Sequence, residues 1–97
     1  MRMMLRWTVP VQKGNEMISD GSMQALTEKL TKQLKPEAAY YMAHNGKRSG
    51  SIFFNMKDST DIPRIAEVLF QGADADVEFI PVMNGDDLKR ALSKLGE

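Results

Sequence analysis

The order in which strand-like and helix-like patterns follow one another leaves this 97-residue chain few possible folds. Residues 3–9 alternate apolar and polar side chains with a period of two, which predicts a strand that ends at Pro10. Gly14-Asn15 is typical of a turn, and over 16–34 the apolar residues recur at helical spacing. Gly21 interrupts that helix, so we expect a kink or a restart there.

The remaining patterns predict a β-hairpin, a second helix, a fourth strand and a C-terminal helix. Both hairpin strands are rich in aromatic and apolar residues, and turn-forming residues separate them. In chain order, these elements are strands at 38–45 and 51–57, a helix that follows acidic caps at 58–61 and ends near Gly72, a strand at 77–83, and an amphipathic helix that follows residues 84–87.

This order, β-α-β-β-α-β followed by an extra helix, is that of a ferredoxin-like sandwich, in which two helices cover one face of a four-stranded antiparallel sheet. The strands of that fold lie in the order 4-1-3-2, so the fourth strand is at an edge. Pro81 fits an edge because proline cannot donate a hydrogen bond to a neighbouring strand. We therefore predict an α+β fold in which residues 1–97 form a single domain.

The composition excludes several kinds of chemistry. The absence of cysteine excludes disulfides, thiolate metal sites and cysteine nucleophiles, and a single imidazole excludes a multi-histidine metal centre within one chain. The acidic residues near turns lack the spacing of a calcium loop, so we predict no metal and no cofactor. Thirteen basic residues balance thirteen acidic ones, which argues against nucleic acid and membranes as partners. Without a recognisable signal or membrane-spanning segment, we expect a cytoplasmic protein.

The predicted sheet is apolar on both faces. A sheet with helices on one face and water on the other has strands that alternate apolar and polar residues. Tyr40-Tyr41-Met42, Ile52-Phe53-Phe54 and the fourth strand instead have apolar side chains at both parities. Monomers rarely expose so much apolar surface, so we expect a second copy to cover the open face of the sheet in a homodimer. The alternative is a monomer whose last helix folds across that face.

Several short strings carry a resemblance to a known superfamily. They are Met4-Leu5-Arg6-Trp7-Thr8-Val9-Pro10, the hairpin with Gly46 and Gly50, the acidic helix start at Asp58 to Asp61, and Val77-Glu78-Phe79-Ile80-Pro81-Val82-Met83. Together with the order of elements, they are similar to an uncharacterised bacterial family of the dimeric α/β-barrel superfamily. This resemblance implies a homodimer whose sheets face each other, with a small-molecule cleft between each sheet and its helices. It implies no particular reaction, because members of that superfamily differ widely in activity.

His44 is the candidate catalytic residue, because it is the only side chain that titrates near neutrality without perturbation. The alternative is a solvated histidine at the end of a strand. Its neighbours depend on the hairpin register. With Asn45 opposite Gly50, Tyr40 faces Asn55 and both share a face with His44, whereas a one-residue shift sends Asn55 to the opposite face.

The candidate ligand-binding residues are aromatic or polar side chains on the predicted strands: Trp7, Tyr40, Tyr41, Arg6 and Asn55. Trp7 offers a flat wall for an aromatic ligand, although a tryptophan in an alternating strand is also an ordinary core residue. Arg6 either binds a carboxylate ligand or pairs with Glu78 on the neighbouring strand. Lys47 and Arg48 are interpreted as a solvated hairpin tip.

Three functions remain open at this point. The first is a small homodimeric protein that binds a small apolar or aromatic molecule between its sheet and helices. The second is a cofactor-independent monooxygenase or isomerase-like enzyme that uses His44, which requires a cavity beside Trp7, one of the tyrosines and His44. The third is an RNA-recognition-like module, which the neutral charge and the missing aromatic signature disfavour.

Overall fold

The chain adopts an α+β fold in a computed structural model that describes residues 1–96. The strands are β1 (Arg2–Thr8), β2 (Ala38–His44), β3 (Lys47–Asn55) and β4 (Asp76–Pro81). The helices are α1 (Val11–Asp20), α2 (Ser22–Leu34), α3 (Ile62–Ala73) and α4 (Gly85–Ser93), with a 3₁₀ turn at Ser59–Asp61. The four strands form one antiparallel sheet in the order β2-β3-β1-β4, which confirms the predicted order and the edge position of the fourth strand.

The hydrophobic core lies between one face of the sheet and helices α1, α2 and α3. The central strand β1 alternates in burial, with Met3, Leu5 and Trp7 pointing into the core. Leu30 of α2 and Leu69 of α3 are fully buried in the same cluster. This arrangement is compatible with a ferredoxin-like sandwich, and burial of these side chains is the main source of its stability.

The first helical region begins earlier than the sequence pattern predicts and is divided in two. The predicted turn at Gly14-Asn15 is wrong, because both residues lie inside α1, which starts directly after Pro10. Gly14 is buried because the side chain of Arg48 packs against it. This contact leaves little space for a side chain at position 14. The predicted interruption at Gly21 is confirmed: its φ of 80° is left-handed, a conformation that favours glycine, and α2 restarts at the next residue. The element order is therefore β-α-α-β-β-α-β-α.

The hairpin between β2 and β3 turns on only two residues. Asn45 and Gly46 have φ angles of 53° and 76°, as the favoured two-residue hairpin turns require. The pairing of Asn45 with Gly50, one of the registers that the sequence leaves open, does not occur, and β3 begins at Lys47, directly opposite His44. The two registers differ by an even number of residues, so each side chain keeps its predicted face.

The open face of the sheet, on the side away from α1–α3, carries one continuous apolar row. Ala38, Phe53, Met4 and Ile80 are successive cross-strand partners from β2 through β3 and β1 to β4. All four side chains are only half-buried. We call these residues the open-face row. In the next row of the same face, Arg6 and Glu78 are cross-strand neighbours of opposite charge.

Helix α4 buries none of its described residues. Its N-terminus is closed by a capping box, in which the backbone N–H of Asp87 donates to Asn84 and that of Asn84 donates to Asp87. The Asn84 N–H lowers the pKa of the Asp87 carboxyl below its ordinary value, and the Arg2 guanidinium, which pairs with this carboxyl, lowers it further. These contacts fix the direction in which α4 leaves the sheet.

Because α4 projects from the sheet, the chain is elongated. Its radius of gyration is 15.4 Å and its longest dimension is 55 Å, whereas a compact chain of this length has a radius of roughly 12.5 Å. The apolar side chains of the helix and the turn after it, Leu88, Leu92 and Leu95, are all exposed. The last helix therefore does not cover the open face of its own sheet. None of the helices within residues 1–96 combines the length and the apolar character needed to cross a membrane.

Candidate functional site

A cleft of about 290 Å³ opens between the β2–β3 hairpin and α2, on the helix-covered side of the sheet. Five of the residues that line it are apolar or aromatic: Trp7, Val9, Met23, Tyr41 and Met42, of which Met42 has the strand parity of the open face. The polar lining residues are Thr27, Ser49 and Arg48, of which only Arg48 is charged. This mixture, mainly apolar with a few polar groups, is typical of sites for small molecules.

Trp7 forms the inner wall of the cleft. The residue is 3% exposed, and its cross-strand partner in β3 is Gly50. A Cβ atom at position 50 would lie 2.3 Å from Cζ2 of the indole, so the ring occupies the space that any larger residue would need. Glycine at this position therefore holds the tryptophan against β3 and fixes the ring beside the cleft.

Tyr41 forms the outer wall. Its ring meets Trp7 edge-on, with 6.2 Å between the ring centroids and an interplanar angle of 69°. Tyr41 is nevertheless 55% exposed, because β2 is an edge strand and the helices do not cover it. The two aromatic rings thus form a corner that is rigid on one side and open to solvent on the other.

Among residues 1–96, Arg48 supplies the only charge that lines the cleft. Its guanidinium packs on α1, where a Cβ at position 14 would lie 2.8 Å from Nη1. Nη1 donates a hydrogen bond of 3.1 Å to Oδ1 of Asn15. Within residues 1–96, the ion pairs engage other arginines, and no carboxylate lies within 4.0 Å of Arg48. The cleft therefore holds a positive charge that no acidic side chain neutralises.

The structure divides the residues singled out from the sequence between the two faces of the sheet. Trp7 and Tyr41 meet at the cleft, whereas Tyr40, His44, Arg6 and Asn55 belong to the open face. Tyr40 is 62% exposed and stacks edge-on against Phe53. Asn55 accepts a hydrogen bond of 2.7 Å from the amino group of Met1.

His44 does not line the cleft. Its Nε2 lies 2.7 Å from Nη2 of Arg6, and because a guanidinium can only donate, Nε2 accepts this hydrogen bond. Arg6 lies opposite Glu78 in the sheet, as the predicted ion pair requires, but its guanidinium contacts the imidazole instead. In this arrangement the accepting nitrogen already has a cationic hydrogen-bond donor as its partner.

Sequence reasoning did not identify Arg48, Met23 and Thr27 as site residues. The sequence pattern extends the turn over residues 45–50 and so assigns Arg48 to a solvated hairpin tip; Arg48 is exposed, but it lies in β3. Asn-Gly by itself forms a two-residue hairpin turn. A turn at Asn45-Gly46 predicts that β3 begins at Lys47 and therefore includes Arg48. Within residues 1–96, no group of three or more His, Cys, Asp or Glu side chains is arranged to hold a metal ion.

The chain matches no protein-family model and no curated protein, so its resemblance to the dimeric α/β-barrel superfamily stays a prediction.

Proposed function

We propose that the protein binds a small apolar or aromatic molecule in the cleft between the β2–β3 hairpin and α2. The observation that carries this proposal is the corner of Trp7 and Tyr41, two aromatic rings that border an unfilled volume. Trp7 belongs to the buried core, whereas Tyr41 is half exposed, so the cleft opens at the edge of the core. The cleft volume of about 290 Å³ has room for about ten water molecules, or for a ligand with about as many non-hydrogen atoms.

The lining side chains suit such a ligand. Trp7, which Gly50 holds in place, offers a preformed surface for an aromatic or alkyl group. Met23 of α2 lies across the cleft and supplies a flexible thioether that adapts to the shape of a bound ring. Tyr41 stands on the solvent side, where it can cover part of the ligand.

Binding is better supported than the enzyme alternative. A monooxygenase or isomerase that uses His44 needs this imidazole next to the bound molecule, within hydrogen-bond reach of the reacting proton. His44 lies on the open face, whereas the cleft lies on the helix-covered face of the sheet. The RNA-recognition alternative needs a basic surface, but the chain is neutral overall.

The binding proposal predicts that Tyr41→Ala weakens the binding of a neutral aromatic probe, phenylacetamide, by about tenfold, because the outer wall of the cleft is lost. Trp7 is the only tryptophan of the chain, so its fluorescence reports directly on the cleft. Titration of phenylacetamide into wild type and variant, followed by this fluorescence, measures the effect.

The matched control for this variant is Tyr40→Ala. It removes the same side chain at a comparable exposure, 62% against 55%, but from the opposite face of the sheet. Its affinity for phenylacetamide should equal that of the wild type. Equal losses in both variants, or no saturable binding to the wild type, would refute the cleft as the binding site.

We further propose that the protein is a homodimer in which a second copy covers the open face. The open-face row supports this, because four apolar cross-strand partners form a continuous surface that water would otherwise meet. The projecting α4 exposes further apolar surface at Leu88 and Leu92. A two-fold axis would bring two open-face rows together, and the resulting arrangement is the ferredoxin-like, dimeric α/β barrel that the sequence resembles.

The charges of the open face suit pairing with a second copy. Arg6 and Glu78 are cross-strand neighbours in the row next to the open-face row, and neither forms an ion pair within its own chain among residues 1–96. A two-fold axis brings the same surface of both copies together, so the arginine of one chain can approach the glutamate of the other. The neutral overall charge of the chain adds no long-range repulsion.

A further inference from the structure

We propose that the ligand of the cleft carries a carboxylate that Arg48 binds, which defines the ligand class as small aromatic or apolar carboxylic acids. This inference rests on the proposed binding function and adds the chemical group that selects the ligand. It depends on three observations. The guanidinium packs against α1, no acidic side chain among residues 1–96 pairs with it, and the other polar side chains of the cleft already donate hydrogen bonds within the chain.

The guanidinium is exposed, but its packing against α1 limits its freedom before a ligand binds. Gly14 lets it approach the α1 backbone, and Asn15 accepts one of its hydrogen bonds. A guanidinium has five N–H donors in a planar fork, so most of them remain for a ligand. Carboxylates fit this fork with two parallel hydrogen bonds, and an arginine that is already positioned loses less conformational entropy when it binds one.

The charge of Arg48 is not neutralised inside the cleft. In the part of the chain that the structure describes, no Asp or Glu lines the cleft and no carboxylate pairs with this arginine. A single positive charge next to apolar walls matches a ligand with one negative charge and an apolar body. This complementarity favours a monoanionic carboxylate over a more highly charged phosphate.

The hydroxyl groups of Thr27 and Ser49 are already engaged as donors, and Ser49, the cross-strand neighbour of Thr8 and Met42, has the strand parity of the open face. Thr27 donates to the backbone oxygen of Gln24, and Ser49 donates to Thr8 or to a backbone oxygen of the hairpin. A hydroxyl has only one proton to donate, so neither can also donate to a ligand without breaking its present bond. Among the polar lining residues, Arg48 is therefore the group that distinguishes an anion from a neutral molecule of the same shape.

Two probes of nearly identical shape test this inference. Phenylacetate and phenylacetamide differ in charge but hardly in size, and the fluorescence of Trp7 follows the binding of both. We expect the wild type to bind phenylacetate about tenfold more tightly. Arg48→Gln should remove this preference and leave the affinity for phenylacetamide unchanged.

Two control variants separate binding by Arg48 from a structural role. Lys47→Gln removes the neighbouring positive charge, which does not line the cleft, and should keep the preference. Asn15→Ala breaks the hydrogen bond between β3 and α1 but keeps the charge, so it should also keep most of the preference. Equal losses of both probes in Arg48→Gln, reproduced by Asn15→Ala, would show that the arginine only joins two elements.

The outcomes also separate this inference from the function on which it rests. If phenylacetamide binds and phenylacetate binds no more tightly, the carboxylate inference is wrong and the binding cleft stands. If neither probe gives a saturable signal, the proposed function fails and the inference fails with it. A tenfold preference that Arg48→Gln abolishes supports both.

Discussion

Replacing Phe53 with glutamate is expected to convert the proposed homodimer to monomers. Phe53 lies in the open-face row between Ala38 and Met4, so each copy would place a carboxylate where apolar surfaces meet. Burying such a charge without a partner is costly, and we expect the dimer dissociation constant to rise at least about 100-fold. Light scattering coupled to size-exclusion chromatography, over a range of concentrations, measures the change in mass.

Phe70→Glu is the matched control. Phe70 is a 44% exposed phenylalanine of α3, on the other side of the sheet, so the same substitution there should leave the dimer intact. A wild-type protein that stays at the mass of one chain at all accessible concentrations would refute the homodimer. Dissociation by both variants alike would indicate loss of fold rather than loss of an interface.

Replacing Gly50 with alanine is expected to destabilise the protein by about 1–3 kcal/mol, although alanine suits a strand at least as well as glycine does. The new methyl group would lie 2.3 Å from the indole of Trp7, which is buried and cannot move away without disturbing the core. Chemical denaturation of wild type and variant gives the difference in free energy of unfolding. The variant should also bind phenylacetamide more weakly, because the inner wall of the cleft shifts.

A double-mutant cycle identifies the cause of this loss. In a Trp7→Phe background the smaller ring leaves more space, so Gly50→Ala should cost less than it does in the wild type. Gly85→Ala is the control glycine substitution, because a Cβ at that position meets nothing within 4 Å. An equal cost of Gly50→Ala in both backgrounds would contradict the proposed contact between Gly50 and the tryptophan.

The sheet could be predicted from the sequence because its signals are local. The alternation of residues 3–9 and the Asn45-Gly46 turn each specify a strand or a reversal within a few positions. The sequence leaves the hairpin register open because six turn-forming residues follow one another, and only the first two make the turn. The start of α1 was missed for a similar reason: Gly14-Asn15 resembles a turn, but the packing of Arg48 against Gly14 accommodates it within a helix.

The candidate site could be predicted only in part, because it depends on which face of the sheet the helices cover. Tyr40 and Tyr41 are adjacent, so they must point to opposite faces, but both faces of their strand are apolar and the pattern does not distinguish them. The structure brings Tyr41 to Trp7 and leaves Tyr40 with His44 on the open face. Arg48 joins the cleft through its contacts with α1, which are tertiary and leave no mark on the local sequence.

The most direct test of the binding cleft is the mapping of phenylacetate binding by NMR on the isotope-labelled full chain. We expect the indole N–H of Trp7 and the backbone amides of Met23, Thr27 and Tyr41 to shift together along one binding curve, while those of Met4 and the rest of the open-face row stay unchanged. Saturable shifts that are confined to the open face, or no saturable shifts at all, would contradict the cleft as the binding site.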